Sequence, residues 1–164
     1  MFRATLDTPV GTLHLFADDS FLYRISFPTG RINSPDAASA PDESNDHSLL
    51  CRAKGQLEEY FHGKRTSFDL PLNPQGTPFQ QAVWKYMERI PYSETRSYGE
   101  IAAALGNINK ARAVGGAAKK NPLPIVIPCH RVIGSSGRLT GFAGGLEVKG
   151  FLLELEGKKQ SGTE

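Results

Sequence analysis

The segment Pro71-Leu72-Asn73-Pro74-Gln75-Gly76 constrains the fold most, because its prolines and glycine end any regular element and make it a connector between two lobes. Over the first 30 residues, apolar residues alternate. In Phe21-Leu22-Tyr23-Arg24-Ile25-Ser26-Phe27, positions 21, 23, 25 and 27 share one face of a strand. Asp18-Asp19-Ser20 supplies a turn, and Thr12-Leu13-His14-Leu15-Phe16 a hairpin partner. The spacing predicts a helix over 49–62, with Leu50, Ala53, Leu57, Tyr60 and Phe61 on one face and Cys51 off it. Residues 31–48, rich in Pro, Asp, Ser, Ala and Asn without an apolar period, read as a mobile loop or linker. The chain therefore divides into an α/β lobe over 1–76, a mainly α lobe over 77–157 and a tail over 158–164.

Helical signals open the second lobe. Thr77-Pro78-Phe79-Gln80 pairs an N-cap Thr with Gln three residues on and puts Pro at the first helical position, and Ser97-Tyr98-Gly99-Glu100 repeats the S-x-x-E pattern. Gly106 stops the helix begun at Ser97. A third helix runs over 110–120 and ends before Asn121-Pro122, so two short helices and a tight turn point to helix-turn-helix. Ala111, Ala113, Gly115, Gly116, Ala117 and Ala118 leave that third helix nearly without bulk, beside Arg112, Lys119 and Lys120. Tight packing on the protein's own core and close approach to a partner both fit. A last helix is expected over 146–156, with Val148, Phe151, Leu152 and Leu155 inward and Glu156 one residue past that stripe, where a glutamate is ordinarily solvated.

At 164 residues and 39% hydrophobic, the chain can bury one ordinary core or two small adjoining ones. No apolar run approaches the roughly 18 residues of a membrane span, and the N-terminus lacks a signal peptide's apolar core, so a cytoplasmic location is expected. Two cysteines make no disulfide framework and should stay thiols in a reducing compartment. Residues 1–76 hold 7 Lys+Arg against 10 Asp+Glu, a net of −3, whereas residues 77–164 hold 12 against 7, a net of +5. The basic half is weak support for a polyanionic partner.

That half also carries Pro128-Cys129-His130-Arg131. A thiol near its ordinary pKa of about 8.5 is mostly protonated at neutral pH, and an imidazole can help to remove the proton. A lone cysteine is more often packing than catalyst. Here Pro128 fixes the entry, glycines at 134, 137, 141, 144 and 145 allow close approach to a ligand, and Glu156 offers a carboxylate.

The run Ile127-Pro128-Cys129-His130-Arg131-Val132-Ile133-Gly134, followed by Leu139-Thr140-Gly141-Phe142-Ala143-Gly144-Gly145-Leu146, resembles the active-site signature of the O6-alkylguanine-DNA alkyltransferases. Thr77-Pro78-Phe79-Gln80, Ile90-Pro91-Tyr92, Thr95 to Ala102 and Ala111-Arg112-Ala113-Val114-Gly115 resemble the same family in the same order, strongly over 77–157 and by general pattern over 1–70. The resemblance implies irreversible transfer of the alkyl group from O6-alkylguanine in duplex DNA to Cys129, without cofactor or metal. His130 would take the thiol proton through a water, Glu156 would hold the imidazole, Asn121 would brace the site and Tyr98 would protonate the leaving guanine. DNA contacts would come from Ser97, Ala111, Arg112 and Gly115, with Arg112 filling the space of an extruded base and the third helix in a DNA groove. Pro124, Ser135, Ser136, Phe142 and Ala143 would line the pocket. Phe142 stands where the family commonly has tyrosine, and Gly150-Phe151 depart from a common Arg/Glu-Trp pair. The resemblance further implies a ribonuclease-H-like first lobe. Some family members hold zinc in that lobe, but His14, His47, Cys51 and His62 lack tight ligand spacing, so no structural metal is expected. Nothing in the sequence points to a dimer, so a monomer is expected. Three alternatives compete: a non-catalytic sensor of alkylated DNA, whose relatives lack the cysteine; a Cys-His hydrolase, whose dyad normally converges from separate segments; and a helix-turn-helix regulator.

Overall fold

The structure, a computed structural model, describes residues 1–28, 43–134 and 145–161, with side chains of the final helix described through Gly157. The expected pocket residues Ser135, Ser136, Phe142 and Ala143, and residues 31–42 of the expected loop, lie outside the described residues. The chain forms two units, Met1–Pro74 and Gln75–Glu164.

In the first unit, β1 (Phe2–Thr8), β2 (Gly11–Ala17) and β3 (Leu22–Ser26) form an antiparallel sheet in the order β1-β2-β3. Alternation buries Ala4 and Leu6 of β1 and Leu13, Leu15 and Ala17 of β2. Helix α1 (Ser48–Phe61) packs on β1 and β2 and buries Leu50, Ala53, Leu57 and Tyr60. The β3 face differs from the sequence reading. A bulge, with Phe16 opposite Arg24 but Ala17 opposite Leu22, passes over Tyr23 and reverses the alternation there. Leu22, Ile25 and Phe27 point inward as a result, and Phe21 is exposed. Residues 43–48, expected as loop, are ordered. Glu43 bridges Arg3 of β1, Ser44 donates to the Arg3 carbonyl, and His47 caps α1 by accepting from the Leu50 amide.

The second unit opens with α2 (Pro78–Glu88), whose Thr77–Gln80 capping box is complete. Trp84 fixes α2 against α4 (Ala111–Lys119): its indole N–H donates to the Ala117 carbonyl at 2.9 Å within the core. Helix α3 (Tyr98–Ala104) is capped by the Ser97 hydroxyl on the Glu100 amide and stops at Gly106, whose φ of +100° glycine adopts freely. A 3₁₀ turn, Ile108–Lys110, then leads into α4. That helix divides its small residues: Val114, Ala117 and Ala118 are buried, whereas Arg112, Ala113, Gly116, Lys119 and Lys120 form a smooth, cationic, exposed face. The two-residue strands β4 (Arg96–Ser97) and β5 (Val132–Ile133) pair in parallel, and a 3₁₀ turn, Cys129–Arg131, precedes β5. Helix α5 runs from Leu146 to Ser161, past the expected end at 156 and into the expected tail. Its inward positions are Lys149, Leu152 and Glu156, while Phe151 is exposed. Among the described residues, no helix is long and apolar enough to cross a membrane.

Candidate active site

The approach to Cys129 is rigid for reasons written in its residues. Where α4 ends, the Asn121 side chain accepts from the Leu123 amide at 2.9 Å and donates to the Ile127 carbonyl at 2.8 Å, pinning both ends of the intervening loop. Ile125 inside that loop sits at φ +74°, a strained conformation for a β-branched residue, held by burial and by the Ile127 amide on the Leu123 carbonyl. Pro124 is buried in the same loop. The β4–β5 pairing then places Ser97 and the start of α3, where Tyr98 stands half-buried, beside the segment that follows Cys129. Gly115 of α4 faces the Tyr98 ring, so that a Cβ there would lie 3.8 Å from it.

Cys129, His130 and Arg131 are all buried, and the fully buried carboxylate of Glu156 connects them to α5. His130 Nε2 lies 2.5 Å from Glu156 Oε2. Arg131 grips the same carboxylate as a fork, Nε to Oε1 at 2.9 Å and Nη2 to Oε2 at 3.1 Å, and its remaining arm donates to the Ile90 carbonyl at 2.7 Å. Ser93 adds its amide to Oε1 at 3.1 Å. Burial alone would raise the Glu156 carboxyl, but the hydrogen bonds and charges of His130 and Arg131 hold it at about 2. An ionised carboxylate only accepts. His130 Nε2 therefore carries the hydrogen, and the lone pair of the neutral ring is on Nδ1, a buried atom with no hydrogen-bond partner among the described residues. Burial lowers the His130 pKa, against the raising effect of Glu156, which keeps the imidazole a neutral acceptor at rest.

Burial pushes the Cys129 thiol up to about 11, while a hydrogen bond from Asn121, the Lys149 charge and nearby backbone amides pull it back. Lys149 is fully buried, donates to the Val132 carbonyl at 2.6 Å and has its ammonium 5.8 Å from the centre of the Tyr98 ring. Burial lowers its pKa and the charge of Cys129 raises it, so thiolate and ammonium stabilise each other. The resting thiol is protonated, and a base and a cation stand ready for the moment it ionises.

Of the residues expected from sequence, the fold brings Cys129, His130, Asn121 and Glu156 together, with Glu156 buried rather than solvated. Arg112 is exposed on α4, with Ala111 and Gly115 partly covered. Sequence reasoning missed Arg131, Lys149 and Ser93. Lys149 could have been found, since 149, 152 and 156 share the i, i+3, i+7 spacing of one helix face. The histidines and cysteine weighed for zinc are engaged elsewhere: His14 near Arg3, His47 capping α1, His62 on the Glu58 carbonyl, and Cys51 exposed with its Sγ 3.4 Å from the Asn45 carbonyl. No group of three potential ligands forms among the described residues.

Residues 78–158 match the domain described as 6-O-methylguanine DNA methyltransferase, DNA binding domain, and residues 1–74 match the ribonuclease-like domain of the same family. A methylated-DNA–protein-cysteine methyltransferase of Methanosarcina acetivorans is 46% identical over 96% of this chain and 99% of its own length. The crystal structure of the Mycobacterium tuberculosis O6-methylguanine methyltransferase superposes with a TM-score of 0.87 at 45% identity, covering 96% of this chain and 93% of that one. A second Mycobacterium tuberculosis structure, in complex with DNA, gives 0.86 at 43% identity, covering 97% and 94%.

Proposed function

The chain belongs to the 6-O-methylguanine DNA methyltransferase family, and on that premise we propose that it repairs duplex DNA by moving the alkyl group of O6-alkylguanine onto its own Cys129. The observation that carries the proposal is the buried constellation of Cys129, His130 and Glu156, with His130 Nδ1 unpartnered among the described residues.

The thiol proton passes through a water to that nitrogen, and the resulting imidazolium is stabilised by the Glu156 carboxylate. Cys129 Sγ, its charge eased by Lys149 and Asn121, attacks the alkyl carbon. The carbon–O6 bond breaks, sulfur keeps the alkyl group as a thioether, and the bond's electrons leave with guanine. Tyr98 protonates the base as it departs and recovers its proton from the pool that the thiol supplied, so one proton leaves sulfur and one arrives on guanine. Nucleophile and final acceptor are the same atom, so the reaction needs no cofactor and happens once per chain.

A stacked base cannot reach a buried thiol, so the nucleotide must rotate out. The exposed cationic face of α4 fits a DNA groove, with α3, the 3₁₀ turn and α4 acting as a helix-turn-helix. Arg112 fills the vacated stack, and Ser97, Ala111 and Gly115 line the approach. Pro124, buried in the loop before Cys129, contributes to the pocket. The first unit takes a ribonuclease-H-like topology, and the protein works as a cytoplasmic monomer. Intact mass after mixing with an O6-methylguanine duplex tests the reading. One methyl group, mapped to Cys129 and absent from Cys129→Ala, is expected; repeated turnover or labelling of Cys51 would defeat it.

A further inference from the structure

Residues 91–94 form a tight turn closed by the Glu94 amide on the Pro91 carbonyl at 3.1 Å, and its third residue, Ser93, sits at φ +69°. Glycine or asparagine ordinarily takes that position. Serine bears the strain but brings a hydroxyl, which donates to the main-chain carbonyl of Glu156 at 2.6 Å while the Ser93 amide donates to the Glu156 side chain. One residue thus holds the backbone and the carboxylate of the same glutamate, across 63 positions of sequence.

We infer that Ser93 is a positioning residue for the transfer reaction: from its strained turn it sets the Glu156 carboxylate against His130 and thereby tunes how readily Cys129 releases its proton. The inference rests on the alkyl-transfer reading. Arg131 touches both carboxylate oxygens, but through a long side chain that could move with them. Ser93 binds Oε1 from a short backbone turn, and binds the helix carrying the carboxylate as well. The same turn steadies the fork, since Ile90 just before it accepts from Arg131 and the Tyr92 ring centre lies 5.6 Å from the guanidinium. The charged and titratable groups around His130 are Glu156 and Lys149 from α5, Arg131 and Cys129 from its own turn, and Tyr92 beyond Arg131. Loosening Glu156 destabilises the imidazolium, so the thiolate forms only at higher pH.

Ser93→Ala and Ser93→Gly test this in a Cys51→Ser background, which leaves Cys129 as the single thiol. Alanine keeps the strain and loses the hydroxyl; glycine loses both. Two readouts are taken: the pH dependence of Cys129 alkylation by iodoacetamide, and the single-turnover rate with free O6-benzylguanine. Both variants are expected to move the alkylation midpoint to higher pH and to slow benzyl transfer about 3- to 10-fold, as for one lost hydrogen bond. Midpoints that coincide with the parent's would overturn the inference, as would a slowing confined to whichever variant melts lower. A parent that takes no benzyl group, with the variant midpoints still displaced, would defeat the transfer reading and leave the positioning role of Ser93 standing.

Discussion

At the scale of single residues, Glu156 serves as an anchor rather than an acid. With donors from His130, Arg131 and Ser93 on its two oxygens, it stays charged and fixes which nitrogen of His130 is basic. Proton delivery to the departing base must come from elsewhere, and the Tyr98 hydroxyl is the candidate. Tyr98→Phe keeps the ring against Gly115 and under the Lys149 ammonium, so fold and DNA affinity should change little. The single-turnover transfer rate should fall by about 10²–10⁴ if the hydroxyl is a general acid. Transfer at the parent rate with saturating DNA would reduce Tyr98 to a pocket wall. Cys129, His130, Asn121, Glu156 and Tyr98 could be named from sequence because they stand in or near recognisable motifs. Arg131 stands in the same motif and Lys149 on the helix face of Glu156, but neither position says what the side chain bonds, and Ser93 carries no local signal at all. Their roles lie in bonds to Glu156 and Val132 across long sequence separations, and an arginine, a lysine or a serine read locally is an ordinary surface residue.

At the scale of elements, α5 shows how an apolar pattern misleads when a helix buries charge. The stripe Val148, Phe151, Leu152 and Leu155 is the most hydrophobic face in the sequence, yet the structure turns Lys149, Leu152 and Glu156 inward. The rotation follows from polar bonds: Lys149 donates to the Val132 carbonyl and Glu156 accepts from His130 and Arg131, so the charges are satisfied inside. Phe151 separates the registers, and Leu152, inward in both, serves as the reference. Leu152→Ala, at a fully buried position, should destabilise by about 2–5 kcal/mol. Phe151→Ser, at a position 37% exposed, should stay within about 0.5 kcal/mol of the parent in urea unfolding. A loss at Phe151→Ser as large as that at Leu152→Ala would restore the sequence-derived face. The β3 bulge is a similar case, because period two was legible but a one-residue slip at Tyr23 was not, and that slip exchanges Phe21 for Leu22 in the core. The capped starts of α2 and α3 were legible, since a cap is made by residues three apart.

At the scale of the whole molecule, the buried site makes stability depend on pH at both ends of the range. Glu156 is held at about 2 in the folded chain against an ordinary 4.5, so the folded state binds its proton less readily than the unfolded one. Its contribution is complete above about pH 4.5 and is lost as pH falls through 2. Cys129 works in the opposite sense. Its folded value of about 11 lies above the ordinary thiol range of about 8.5 to 9.0, so the folded state keeps the proton longer, and stability fully present below that range is lost as pH rises through 11. Each window is worth on the order of a few kcal/mol at about 1.4 kcal/mol per pKa unit. Urea unfolding from pH 3 to pH 10.5 should therefore trace a plateau that falls at both sides, and Cys129→Ala should flatten the alkaline fall while leaving the acid one. A chain already alkylated on Cys129 has no thiol proton to lose in either state, so its alkaline limb should be flat as well, whatever the added group does to the height of the plateau. An alkaline limb of equal slope in all three proteins would place its origin in another group and show that the buried thiol titrates near its ordinary value.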